Sequence, residues 1–138
     1  MTVQVIHTTQ INDSGERLWN TIRSFDGVEK YLVIVTKSVI TGNQTGSKRT
    51  CDINMGHQMF QTEETIEFLD EQNQILKVSL DKGPIQLKGM NFTFEVKNIG
   101  SGKSNIIIST DVGNPDAAGT AKTIFSMIGQ GLKKFHEQ

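Results

Sequence analysis

Apolar residues change their spacing several times along the chain, and each change marks an element. Val3 to Ile11 is rich in β-branched residues and predicts a first strand. Asp13 to Arg23 follows as a helix, with Asp13 as N-cap and Glu16 three residues later in a capping-box arrangement. Leu18, Trp19, Ile22 and Phe25 give that helix one apolar face. Asp26-Gly27 breaks it, and Val28 to Tyr31 adds a short helical turn. From Val33 the period falls to two.

Val33 to Thr41 and Lys48 to Met55 predict two strands joined by the turn Gly42 to Gly46. Gln61 to Leu69, the turn Asp70 to Asn73 and Gln74 to Leu80 supply a second hairpin, closed by Lys82-Gly83-Pro84. Met90 to Lys97, the loop Gly100 to Ser104 and Asn105 to Val112 supply a third. Asn114-Pro115 then starts a helix running to about Phe135. Its apolar stripe, Ala121, Ile124, Phe125, Ile128, Leu132 and Phe135, is about 100° wide. A helix of roughly 20 residues spans about 30 Å, enough to cross a sheet. Six hairpin-linked strands followed by a long amphipathic helix predict an α+β fold, a curved antiparallel sheet gripping the C-terminal helix.

Within the second hairpin, alternation puts Glu63, Thr65 and Glu67 on a polar face and Thr62, Glu64, Ile66 and Phe68 on an apolar one. Glu64 is the acid that alternation points inward. A carboxylate there raises its pKa unless a partner is present, and a raised pKa suits a general acid or base. The plainer reading is a strand end reaching water, or a pair with a basic residue.

Composition narrows the classes of function. The chain has 138 residues, one domain's worth, with 14 Lys+Arg against 15 Asp+Glu and a formal net charge of -1. That balance predicts no grip on nucleic acid or anionic lipid. The short basic runs Lys48-Arg49 and Lys133-Lys134 read as solvated surface. No apolar run approaches the about 18 residues that membrane insertion needs, and the first residues lack the pattern of a signal peptide. A single cysteine, Cys51, excludes an intrachain disulfide and fits a cytoplasmic location. Cys51 has no neighbouring cue for activation and reads as a small apolar residue.

His7, His57 and His136 lack metal-ligand spacing, so neither a metal nor another cofactor is expected. His136, after two lysines at a helix end, suits a favourable place for positive charge. Ser109 lies in no nucleophile motif, and GNQTG and GSGKS sit in hairpins rather than before helices, unlike phosphate loops.

The order of elements, together with HTTQINDSGERLWNTIRSF, TGSKRTCDIN, ETIEFLDEQNQILKVSL and GLKKF, resembles the START-like helix-grip superfamily (pollen-allergen-like) over nearly the whole chain. Within it the resemblance is to the polyketide cyclase/dehydrase (SRPBCC) branch. It implies a cavity between sheet and C-terminal helix for lipids, sterols or polyketides. Plant abscisic-acid receptors of the same superfamily carry a lysine against the hormone carboxylate where this chain has Leu32. Their gate loop corresponds to Asn54 to Met59, which keeps a glycine, Gly56, beside His57, but has no proline. Their strand glutamate corresponds to Glu64. These departures disfavour a hormone receptor and leave Glu64 at a pocket position.

Alternation combined with this fold gives an inward, ligand-binding set. Its strand members are Cys51 and Ile53; Glu64, Ile66 and Phe68; Val78 and Leu80; Met90, Phe92 and Phe94; and Ile107, Ser109 and Asp111. Ile124, Met127, Ile128 and Gly131 join from the helix. A solid core is the competing reading, and an empty volume above about 300 Å³ separates the two. Gly129 and Gly131 interrupt the helix, each costing about 1 kcal/mol relative to Ala, so a bend or a close approach by ligand or strand is expected there.

Three functions follow. The first is a binding or transport protein for a small hydrophobic molecule. The second is a cyclase/dehydrase-type enzyme using Glu64 or Asp111 as general acid or base, in which Glu64→Gln weakens binding without unfolding the chain. The third is a protein-interaction module of the chaperone-activator kind. Homodimerisation is compatible with the sequence but not signalled by it.

Overall fold

The computed structural model describes residues 2–85 and 87–138. Seven strands form one antiparallel sheet: β1 (Val3–Ile11), β2 (Val35–Ile40), β3 (Lys48–Asn54), β4 (Met59–Asp70), β5 (Ile75–Lys82), β6 (Asn91–Gly100) and β7 (Lys103–Val112). Their spatial order is β1-β7-β6-β5-β4-β3-β2, so the strands after β1 run as a meander and β7 returns beside β1. Helix α1 (Gly15–Ser24) and a single 3-10 turn (Val28–Lys30) connect β1 to β2, and α2 (Pro115–His136) closes the chain. The sheet grips α2, the architecture the hydrophobic pattern predicts.

Local chemistry adjusts the ends of the elements. Ser14, not Asp13, caps α1, its hydroxyl accepting from the Arg17 N–H at 3.2 Å. Asp13 instead accepts from Arg17 Nε at 3.0 Å and pairs with His136 Nδ1 at 2.8 Å, tying the start of α1 to the end of α2. Trp19 Nε1 and Arg23 Nε both donate to Glu71, at 3.0 and 2.6 Å, which fastens α1 to the β4–β5 turn. β2 begins two residues later than its apolar run suggests, because the chain turns at Leu32, whose carbonyl accepts from the Val35 N–H at 3.0 Å.

Along β7, Ser104, Ile106, Ile108, Thr110 and Val112 are buried, and their partners in β6 and β1 share that concave face. Helix α2 seats Ala117, Ala121, Phe125 and Leu132 against it, with Phe92 and Phe125 in edge contact at 5.7 Å between ring centres. Two glycines decide how closely α2 approaches. A Cβ at Gly129 would stand 2.1 Å from Thr9 Oγ1 on β1, and one at Gly131 would stand 1.8 Å from the Tyr31 carbonyl oxygen. The helix is therefore pressed onto β1 and onto the segment before β2. Gly131 was expected among ligand-binding positions; its missing side chain makes room for the Tyr31 backbone instead.

Two strands depart from the inward parity expected of them, one through a register shift and one without any. Between Ile66 and Phe68 an extra β4 residue, Glu67, enters the ladder, so Ile66 opposes Val78 but Phe68 opposes Lys77. Phe68 accordingly lies on the convex face, 48% exposed, which corrects its inward assignment. In β7 the expected parity is off by one. Ile107, Ser109 and Asp111 lie on the convex side, and Asp111 is exposed.

Candidate functional site

Because α2 is anchored on the β1 side, the part of the sheet towards β2 stands away from it. The space left is a cavity of about 320 Å³, with lining residues from strands β2 to β6, the Val28–Val35 segment and α2. Its volume lies near the lower end of small-molecule sites, about 300 Å³. The lining joins the main core to a second apolar cluster, Val28, Leu32, Val35, Cys51 and Ile53. Met55 in the β3–β4 turn and Thr123 on α2 are lining residues that are also exposed, so the cavity reaches the surface between them.

Nine of the seventeen positions expected to face inward converge here. Cys51 and Ile53 of β3, Glu64 of β4 and Leu80 of β5 line the cavity, as do Phe92 and Phe94 of β6. Ile124, Met127 and Ile128 line it from α2, and their partial accessibility is that of side chains facing a void. Ile66 and Val78 belong to the packed core at 1% and 0% exposure, and Met90 packs against that core; none of the three reaches the cavity. In the β3–β4 turn, expected as a gate from the resemblance, Gly56 takes φ +89° and His57 is exposed, while their neighbour Met55 provides the lining side chain. Gly131 and the convex-face residues Phe68, Ile107, Ser109 and Asp111 are outside the lining.

Inside this apolar wall lies one ion pair. Arg49 Nε donates to Glu64 Oε1 at 2.9 Å and its NH2 group donates to Oε2 at 3.1 Å, a bidentate grip between residues directly opposite in the β3–β4 ladder. The side chains are 9% and 13% exposed. Burial alone would lower the Arg49 pKa, but the adjacent Glu64 carboxylate more than offsets this, and it is raised. Arg49 was expected on a solvated surface; its register with Cys51 and Ile53, two and four residues on, instead carries it inside. Of the two plainer readings of Glu64, the pair with a basic residue is the one found.

Phe25 completes the grip. It ends α1 with φ 65°, a left-handed conformation costing a bulky L-residue about 1–2 kcal/mol. In return its carbonyl accepts from Arg49 NH1 at 3.1 Å, and its buried ring lies under the guanidinium, 4.2 Å from the ring centre. Arg49 is thus held on three sides, and the strained residue belongs to the site.

Tyr31, Cys51 and the hydroxyls of Thr62, Thr120 and Thr123 share the lining. Burial pushes the Tyr31 phenol up, and the nearby Arg49 charge opposes this only in part, so the hydroxyl keeps its proton. Burial likewise pushes the Cys51 thiol up to about 11, which removes it as a thiolate nucleophile at neutral pH. No buried side-chain nitrogen or oxygen among the described residues lacks a hydrogen-bond partner. Among the same residues no set of three His, Cys, Asp or Glu side chains could hold a metal, and no helix is long and apolar enough to cross a membrane. Tyr31 and Arg49 escaped sequence reasoning for different reasons. Tyr31 lies in an irregular segment with no period, whereas Arg49 had a signal in β3 alternation that its neighbour Lys48 obscured.

No family model matches the chain. Over 81 residues it is 28% identical to the abscisic acid receptor PYL10 of Arabidopsis thaliana, a match covering 57% of this chain and 44% of that receptor. The chain thus spans less than half the length of the curated relative it matches. Solved structures match throughout. The ginseng major latex-like protein 151 from Panax ginseng superposes with a TM-score of 0.82 at 14% identity, covering 99% of each chain. An uncharacterised protein from Bacillus thuringiensis gives 0.84 at 19% identity over 99% and 100% of the two chains. A protein from Nitrosospira multiformis gives 0.81 at 14% identity over 97% and 96%. At these identities the likeness is one of fold.

Proposed function

We propose, for a chain with the helix-grip fold of the START/Bet v1-like superfamily, that it binds a small, largely apolar molecule between sheet and α2. The carrying observation is the cavity of about 320 Å³ with largely apolar walls and one charge-matched couple, buried Arg49 with part-buried Glu64. A merely structural core would be expected to close such a space, since voids of this size forfeit packing contacts. The same arrangement argues against Glu64 as a general base, because Arg49 must first release it. Asp111 faces away from the cavity and cannot serve it. A binding or carrier role in which the ligand leaves unaltered is the reading best supported.

The test is native mass spectrometry of the chain purified from its own host, together with titration of the apolar fluorophore Nile red. Retained small molecules, and a saturable fluorescence rise abolished by the cavity-filling Met127→Trp, are the expected results. A folded protein that neither retains a molecule nor binds Nile red would overturn the proposal.

A further inference from the structure

The polar end of the cavity indicates what kind of molecule fits it. Arg49 has five N–H donors. Three are used, two on Glu64 and one on the Phe25 carbonyl, and the Tyr31 phenol oxygen lies within hydrogen-bonding reach of the guanidinium, so the donors left over are the remaining Arg49 N–H and the Tyr31 hydroxyl. Arg49, Glu64 and Tyr31 all lie in the lining, so these donors are near one another at the cavity wall. Their surplus is of donors, and a ligand must present acceptors to use it.

The pair's charge decides between kinds of acceptor. The Arg49 charge is already matched by Glu64 at bidentate distance, so the couple is neutral overall. A ligand carboxylate brought to the spare donors would also approach the Glu64 carboxylate. It would pay the desolvation of a third buried charge with no free cation to compensate. A carbonyl oxygen meets the same donors without that penalty, and a hydrogen bond from a charged donor is stronger than one between neutral groups. Resting on the binding reading above, we infer that the preferred ligand is a neutral, apolar molecule with a carbonyl oxygen, a ketone, ester or lactone, that docks on Arg49 and Tyr31, and that carboxylates are rejected.

Three probes sharing one chain length, decane, methyl octyl ketone and decanoate, are titrated against the intact protein by Nile red displacement at neutral pH. The ketone is expected to bind about ten-fold more tightly than decane, the equivalent of one charge-assisted hydrogen bond, and decanoate more weakly than the ketone. Replacing both charges, Arg49→Met with Glu64→Leu, should erase the ketone's advantage while decane still binds. Glu64→Gln, where it folds, leaves the cation unmatched and should bring decanoate up to or above the ketone. Equal binding of ketone and decane by the unaltered chain, or decanoate as tight as the ketone, would overturn the inference while leaving the cavity reading intact. Displacement by none of the three would sink that reading, and this inference with it.

Discussion

Replacing Glu64 by Gln is a stability experiment before it is a binding experiment. Gln retains an acceptor for one Arg49 N–H but removes the charge facing a guanidinium whose side chain is 9% exposed. Unit charges about 4 Å apart attract by about 4 kcal/mol at an effective dielectric constant of about 20. Breaking a buried pair by removing one partner typically destabilises by about 3–5 kcal/mol. With one hydrogen bond kept, the loss should fall near 3 kcal/mol, or roughly 10 °C in Tm for a chain of this size. Urea unfolding is readily followed through Trp19, the sole tryptophan, which is buried and bonded to Glu71. The double variant Arg49→Met with Glu64→Leu removes both charges and refills the space, and should lie within about 1 kcal/mol of the unaltered protein. A Glu64→Gln loss below about 0.5 kcal/mol, or a double variant as unstable as the single one, would refute the reasoning. The expectation that Glu64→Gln merely weakens binding is thereby revised, since loss of ligand in that variant reports on folding as well.

Two other perturbations test the frame that holds the cavity. Gly131→Ala should destabilise by more than about 2 kcal/mol despite its gain of up to about 1 kcal/mol in helix propensity, because its Cβ would meet the Tyr31 carbonyl oxygen at 1.8 Å. Gly119→Ala on the same helix, with open space at its Cβ, should stabilise by up to about 1 kcal/mol, and thermal melts of the two variants compare them directly. Burial alone would raise the Asp13 carboxyl, but hydrogen bonds with His136, Arg17 and the Ser14 N–H hold it below the usual carboxylate range. Its contribution is therefore complete above about pH 4, the unfolded value, and is lost as pH falls through the lowered one. Asp13→Asn should accordingly flatten the fall of the urea midpoint between pH 5 and pH 2; an unchanged slope would remove Asp13 from the linkage.

What the sequence conceals follows from how a strand reports its faces. Period two announces which side is inward only while one side is polar and the ladder has no extra residue. Met90 to Lys97 meets both conditions, and Phe92 and Phe94 are found in the cavity wall as read. The run Ile106-Ile107-Ile108 breaks the first condition: all three are apolar, parity cannot be read from them, and the even-numbered pair is the buried one. Phe68 breaks the second, because the bulge at Glu67 changes its face without changing its hydrophobicity.

The ion pair was hidden by a third limit, since Arg49 opposite Glu64 is a statement about register between two strands rather than pattern within one. Its strongest trace lay in β3, where Arg49 shares a parity with Cys51 and Ile53. An inward acid on one strand of a hairpin makes an inward base on the other the first thing to seek, because a buried charge left alone is too costly to keep. Once that base is found, the chemistry of Glu64 changes from proton transfer to the anchoring of Arg49, whose remaining donor, with the Tyr31 hydroxyl, then sets what the cavity can accept.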